Sequence, residues 1–198
     1  MPEDGADQTG LIGPNAILQL LPVVEEYGGR RRVTELMANA GLAEAPDGKS
    51  MIPERDAARL HRQLRCEEPG AAIRLSKIAG QRTAAYILKH RIPRPAHVVL
   101  KALPASLAAY ILARAIAQHA WTFAGSGRFR ALTPWHFQIE NNPLIRGETH
   151  RDVTCHWHAA VFEHLYRALV HRRCRAVETK CGCQGHAGCE FEIRLVRS

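Results

Sequence analysis

Trp135-His136-Phe137-Gln138-Ile139-Glu140 alternates apolar and polar residues along its whole length. A period of two marks a strand with one face on a core and one toward water. Asn141-Asn142-Pro143 ends it. Just upstream, Gly125-Ser126-Gly127 reads as a turn and residues 128–132 as a partner strand. Downstream, residues 174–180 read as a strand, and Cys189, Phe191, Ile193 and Leu195 alternate as a final one. Between them residues 156–171 carry the helical stripe Val161, Phe162, Leu165 and Leu169.

Before position 125 the period is helical throughout. Ile17, Leu18, Leu20, Leu21 and Val24 form the first stripe, which opens at Pro14-Asn15 and stops at Gly28-Gly29. Arg30 to Ala40 predicts a second helix, residues 42–52 a loop, and residues 54–65 a third helix. A long helix is expected over 70–90, with Leu75, Ile78, Ala79, Ala85 and Tyr86 on one face and Arg82 in its middle. Pro93 and Pro95 break the chain, a short helix covers 96–102, and Pro104 leads to an apolar helix over 105–123 that includes His119. Helices first and a small sheet last, with one helix inserted, predict an α+β fold in which N-terminal helices pack on an antiparallel sheet. The expected organisation is a flexible tail over 1–10 and a single domain over 11–198, mostly helical to 124 and sheet plus helix from 125.

The chain has 198 residues, a charge of +8 and 46% hydrophobic content, which excludes disordered and fibrous classes. No apolar run approaches the roughly 18 residues of a membrane span. The first ten residues carry Glu3, Asp4 and Asp7 and no cation, unlike a secretory leader. A cytoplasmic protein is therefore expected. Five of the six Cys fall between 155 and 189, and in a reducing compartment such clustering points to metal or catalysis.

Cys155, Glu178, Cys181 and Cys189 are spaced as Cys, 22 residues, Glu, two, Cys, seven, Cys. Three thiolates and a carboxylate can complete a tetrahedral zinc shell. Cys155 would start a helix, and Glu178 to Cys189 would span a hairpin closed by Gly182, Gly185 and Gly188. Glu178 and Cys181 have opposite strand parity, so the strand must bulge or end near Lys180. Buried free thiols are the competing reading, and Cys183, His186 and Cys174 are rival ligands. His156 and His158 point about 200° apart on a helix and cannot share one ion.

Cys155-His156-Trp157, Val177-Glu178-Thr179-Lys180-Cys181, Gly185 and Cys189-Glu190-Phe191, preceded by Glu140-Asn141-Asn142-Pro143-Leu144, resemble the vinyl-4-reductase domain family. With Leu11-Ile12-Gly13-Pro14-Asn15-Ala16, nearly the whole chain is similar to the branch that serves bacteriochlorophyll biosynthesis in photosynthetic purple bacteria. The resemblance implies the ligand-binding fold of phenol-sensing regulators and transport-particle subunits. It implies structural zinc on Cys155, Glu178, Cys181 and Cys189, with Cys174 and Cys183 as extra thiols. It implies a planar tetrapyrrole ligand, a porphyrin or chlorophyllide, and a role in photosynthesis. Pathway enzymes and a second copy of the chain are the expected macromolecular partners.

The resemblance also implies a vinyl reductase, but no nicotinamide, flavin or iron–sulfur motif is present. A closed zinc site leaves no open coordination position. The leading expectation is thus a tetrapyrrole-binding or carrier protein, holding Mg-protoporphyrin or divinyl protochlorophyllide. The reductase itself and a ligand-responsive regulatory module are the alternatives. For the pigment, Arg82 is a candidate for a propionate, His119 for the central Mg, and Trp121, Trp135 and Trp157 for the walls. Arg30-Arg31-Arg32 and Arg172-Arg173 read as solvated surface, with no nucleic-acid motif beside them.

Overall fold

The alternation over 135–140 builds the second strand of a four-stranded antiparallel sheet. The computed structural model describes residues 10–196. Strands β3 (Arg128–Thr133), β4 (His136–Glu140), β5 (Cys174–Lys180) and β6 (Gly188–Leu195) lie in the order β3-β4-β6-β5. A second, two-stranded sheet pairs β1 (Leu11–Ile12) with β2 (Ile52–Pro53). The helices are α1 (Asn15–Leu18), α2 (Leu21–Asn39), α3 (Glu54–Glu67), α4 (Ala72–His90), α5 (Arg94–Ala102), α6 (Ala105–Gln118), α7 (Trp121–Ala124) and α8 (His156–Leu169). The architecture is α+β. No helix among the described residues is long and apolar enough to cross a membrane.

Three details differ from the sequence reading. Gly28-Gly29 does not end a helix but kinks α2, with Gly29 alone at φ 77°. The helix expected over 105–123 is broken after Gln118, so α7 is a separate turn. The buried stripe of α4 is Ala72, Leu75, Ser76, Ala79, Gly80, Thr83 and Ala84, which leaves Ala85 exposed. Of the expected tail only Gly10 lies within the described residues. Its carbonyl accepts from the Glu54 amide at 2.8 Å.

The sheet's inner face supplies Phe137 and Phe191, which pack against Phe162 of α8 at 5.1 and 5.3 Å between ring centres. Such contacts each add about 1 kcal/mol beyond area burial. On its other side α8 lies against α4, joined by Trp157 Nε1 donating to Thr83 Oγ1 at 3.2 Å. The helical and sheet portions therefore share one buried core.

His61 of α3 sits in that core and its Nε2 donates to the Ala16 carbonyl at 2.9 Å. Burial, and then the nearby Arg65, pull its pKa from 6.5 down to about 3. Above pH 6.5 the ring is neutral in folded and unfolded chains alike. Below it the unfolded chain takes up a proton that the folded chain refuses. Stability is therefore expected to fall with pH from 6.5 toward 3. From about pH 7 to about 5.5 the loss at this site is about 1 kcal/mol. It would be read as a lower urea midpoint at unchanged slope. A His61→Gln variant with the same pH dependence as the wild type would refute this assignment.

Candidate metal centre

Cys155 immediately precedes the first turn of α8, Glu178 lies in β5, Cys181 follows the last residue of β5, and Cys189 is the second residue of β6. The parity conflict resolves as the sequence required. Glu178 pairs with Phe191 and Lys180 with Glu190, so β5 bulges at Thr179 and ends at Lys180. The bulge turns Glu178 and Cys181 toward the same point.

The four side chains are buried, and one ligand atom from each lies within 4.8 Å of all the others. The Cys155–Cys181 and Cys181–Cys189 sulfur separations are both 3.8 Å, and Cys155–Cys189 is 3.3 Å. Tetrahedral zinc with bonds of about 2.3 Å holds its sulfurs about 3.8 Å apart. Glu178 Oε2 accepts from the Cys155 amide at 2.7 Å, while its Oε1 is buried without a hydrogen-bond partner. A bare carboxylate oxygen inside a ring of thiols is what a cation would satisfy.

The electrostatics agree. Burial, and then the Cys181 sulfur, push the Glu178 carboxyl up to about 9. Burial likewise raises the Cys155 thiol well above its ordinary value. Hydrogens donated by Cys155 and Cys189 draw Cys181 far below the usual thiol range. Cys155 also donates to Cys189, yet the bond to Cys181 and burial outweigh this and push Cys189 up to about 12. The site thus holds one stable anion among protonated neighbours. A dication would invert that order and allow several to ionise together.

Amide donors support the sulfurs. Asn142 Nδ2 donates to Cys155 Sγ at 3.3 Å and to Cys189 Sγ at 3.7 Å, and the Gly182 amide donates to Cys189 Sγ at 3.5 Å. Asn142 Oδ1 meanwhile caps the short turn 143–145 by accepting from the Leu144 amide. Donors of this kind orient metal ligands and tune their charge. Nothing in the sequence pattern singles out Asn142 for this task beyond its place in the 140–144 stretch.

The rivals fall elsewhere. Cys183 Sγ lies 3.1 Å from Cys181 and 3.3 Å from Thr154 Oγ1, beside the four rather than among them. Cys174 is at the opposite end of β5, about 13 Å along the strand from Glu178. His186 is exposed in the hairpin loop. His156 is half-buried, and His158 belongs to the core, its Nε2 donating to the Phe123 carbonyl at 3.2 Å.

The five residues expected to line a pigment slot are not brought together. Arg82 lies beside the buried stripe of α4 and pairs with Glu26 at 2.6 Å. His119 follows the last turn of α6 and is exposed, its Nδ1 donating to the Ala115 carbonyl at 2.9 Å. Neither sits on an apolar face. In the first case the stripe runs one position over; in the second the helix has ended. Trp121 is 55% exposed. Trp135 is half-buried against Tyr166, and Trp157 is buried at the opposite end of α8. Two surface hollows flank other residues. One, of about 530 Å³, is lined by Thr34, Met37 and Leu42. The other, of about 200 Å³, lies against the thiols at Asn142, Arg146, Glu148, His186 and Cys189.

Comparison with known proteins places these features in a family. Residues 135–195 match the V-4-R (vinyl-4-reductase) domain. The chain is 46% identical over 184 residues to the bacteriochlorophyll synthase 23 kDa chain of Cereibacter sphaeroides, covering 92% of this chain and 89% of that protein. It is 40% identical to the bacteriochlorophyll synthase 23 kDa chain of Rhodobacter capsulatus, covering 94% and 88%. Among solved structures, an H-NOX family protein studied for heme distortion superposes with a TM-score of 0.58 at 8% identity, covering 94% and 96% of the two chains. An H-NOX protein from S. oneidensis in the Fe(II)NO state does so with a TM-score of 0.54 at 12% identity, covering 94% and 100%. At these identities the likeness is one of fold.

Proposed function

The chain belongs to the family of the bacteriochlorophyll synthase 23 kDa chains, and on that footing we propose that it serves bacteriochlorophyll biosynthesis by binding a vinyl-bearing Mg-tetrapyrrole. The observation that carries this reading is the 46% identity across nine tenths of the chain. Three features support it. Residues 69–139 hold ten Lys and Arg and neither Asp nor Glu, which suits a ligand with carboxylate side groups. The fold is shared with H-NOX proteins, one of them studied for its heme. The thiol cluster is closed by four protein ligands, which suits a scaffold better than a reaction centre.

In this reading Cys155, Glu178, Cys181 and Cys189 hold zinc. The ion would supply a cross-link between the start of α8 and the β5–β6 hairpin. Cys155 contributes the helix end, Glu178 the bulge, and Cys181 and Cys189 the two sides of the hairpin loop. The buried thiols, none in a disulfide among the described residues, fit a reducing cytoplasm.

Titration of the purified protein with Mg-protoporphyrin or divinyl protochlorophyllide is expected to give a saturable absorbance shift at micromolar protein. No shift would sink the binding reading. The family resemblance to a vinyl reductase gives the second reading. Reduction of the vinyl group takes two electrons and two protons, so divinyl substrate is incubated with NADPH and reduced ferredoxin. Monovinyl product from this protein alone would favour catalysis over carriage.

A further inference from the structure

Helix α5 is bracketed by Pro93 and Pro104, and its flanking residues are extended, with ψ 141° at Pro93 and 154° at Leu103. Only Leu100 of its nine residues is fully buried, while Val98 and Val99 are 69% and 55% exposed. His97 lies three positions before Leu100, on the same inward side. Its Nε2 is buried and has no hydrogen-bond partner. The imidazoles of His61 and His158 both reach backbone carbonyls at 2.9 and 3.2 Å, so a bare ring nitrogen is not the habit of this core. Leaving such an atom unsatisfied costs about 1–3 kcal/mol. The neutral imidazole nitrogen is also the commonest metal donor among side chains.

The surroundings of His97 suit one kind of metal complex. Residues 69–139 carry no carboxylate, and among the described residues His97 belongs to no group of protein ligands close enough to share an ion. A metal that reached His97 would therefore bring its other donors with it. The central metal of a tetrapyrrole does so, with four nitrogens in plane and an axial position free. Arg94 and Lys101, three before and four after His97, flank it on the helix surface and enter no ion pair among the described residues. They are placed for carboxylate side groups of the same ligand. Helix α5 packs chiefly on α6 and α8, and its two proline ends allow it to lift without unwinding its neighbours.

We infer that His97 is the axial donor to the central metal of the bound tetrapyrrole, with α5 as the strap that closes over it. The inference rests on the tetrapyrrole-binding reading above.

The full chain and its His97→Ala variant are titrated with Mg-protoporphyrin IX and, separately, with metal-free protoporphyrin IX. The wild type is expected to prefer the Mg pigment by about tenfold or more. His97→Ala should bind the metal-free pigment as the wild type does, which reports an intact fold. It should lose the preference and the wild-type Soret position, and free imidazole should restore both. A His97→Ala protein that keeps the preference and the Soret position overturns the axial role and leaves the tetrapyrrole reading standing. So does one that loses both pigments equally while its circular dichroism is unchanged. If circular dichroism shows His97→Ala unfolded, the same comparison is made with His97→Gln. A wild type that binds neither pigment overturns both readings.

Discussion

Zinc-loaded protein is expected to melt about 12 °C above the same protein stripped by a chelator. The figure follows from linkage: free metal a thousandfold above its Kd stabilises by about 4 kcal/mol, and a chain of this size gains about 3 °C per kcal/mol. The physical cause is local. Without a cation, Glu178 and three thiols share a buried space in which Cys181 ionises at the expense of the others. With one, the start of α8 is tied to both sides of the β5–β6 hairpin. Elemental analysis should find one zinc per chain in the wild type and in Cys183→Ser, and none in Cys155→Ser. Equal melting of loaded and stripped protein would remove the structural role. Zinc retained by Cys155→Ser but lost from Cys183→Ser would replace the ligand set with one that includes Cys183.

What could be read from the sequence was what depends on short-range pattern. The alternation over 135–140 needs no tertiary knowledge, because side chains on a strand must point to opposite faces. The bulge near Lys180 followed from parity alone, given that Glu178 and Cys181 were to meet. The pigment residues failed for the opposite reason. Arg82 and His119 were placed by extending a helical period, and a shift of one residue, or a helix that ends just before the residue in question, moves a side chain from core to solvent. His97 and Asn142 carry no pattern at all. One is distinguished by what its Nε2 lacks and the other by two sulfurs it reaches, and both facts arise only when distant segments pack.

The same dependence on packing makes Gly80 the most sensitive position between the two halves of the fold. Gly80→Ala is expected to destabilise the protein by about 3 kcal/mol, although Ala is the better helix former by about 1 kcal/mol. A Cβ at Gly80 would lie 2.4 Å from the Trp157 carbonyl oxygen and 2.8 Å from Ala160 Cβ. The first contact is with backbone, so no rotamer change relieves it, and α4 and α8 must separate. The separation acts on the first turn of α8, two residues from Cys155, and on the hydrogen bond from Trp157 to Thr83. Zinc affinity should therefore weaken along with stability. Gly70→Ala is the matched control, since nothing lies within 4 Å of its Cβ. It should stay within about 0.5 kcal/mol of the wild type. Urea unfolding of the two variants decides the matter. A Gly80→Ala protein as stable as Gly70→Ala would mean that α4 and α8 do not approach so closely, and that the start of α8 is positioned by the metal centre rather than by the helix beneath it.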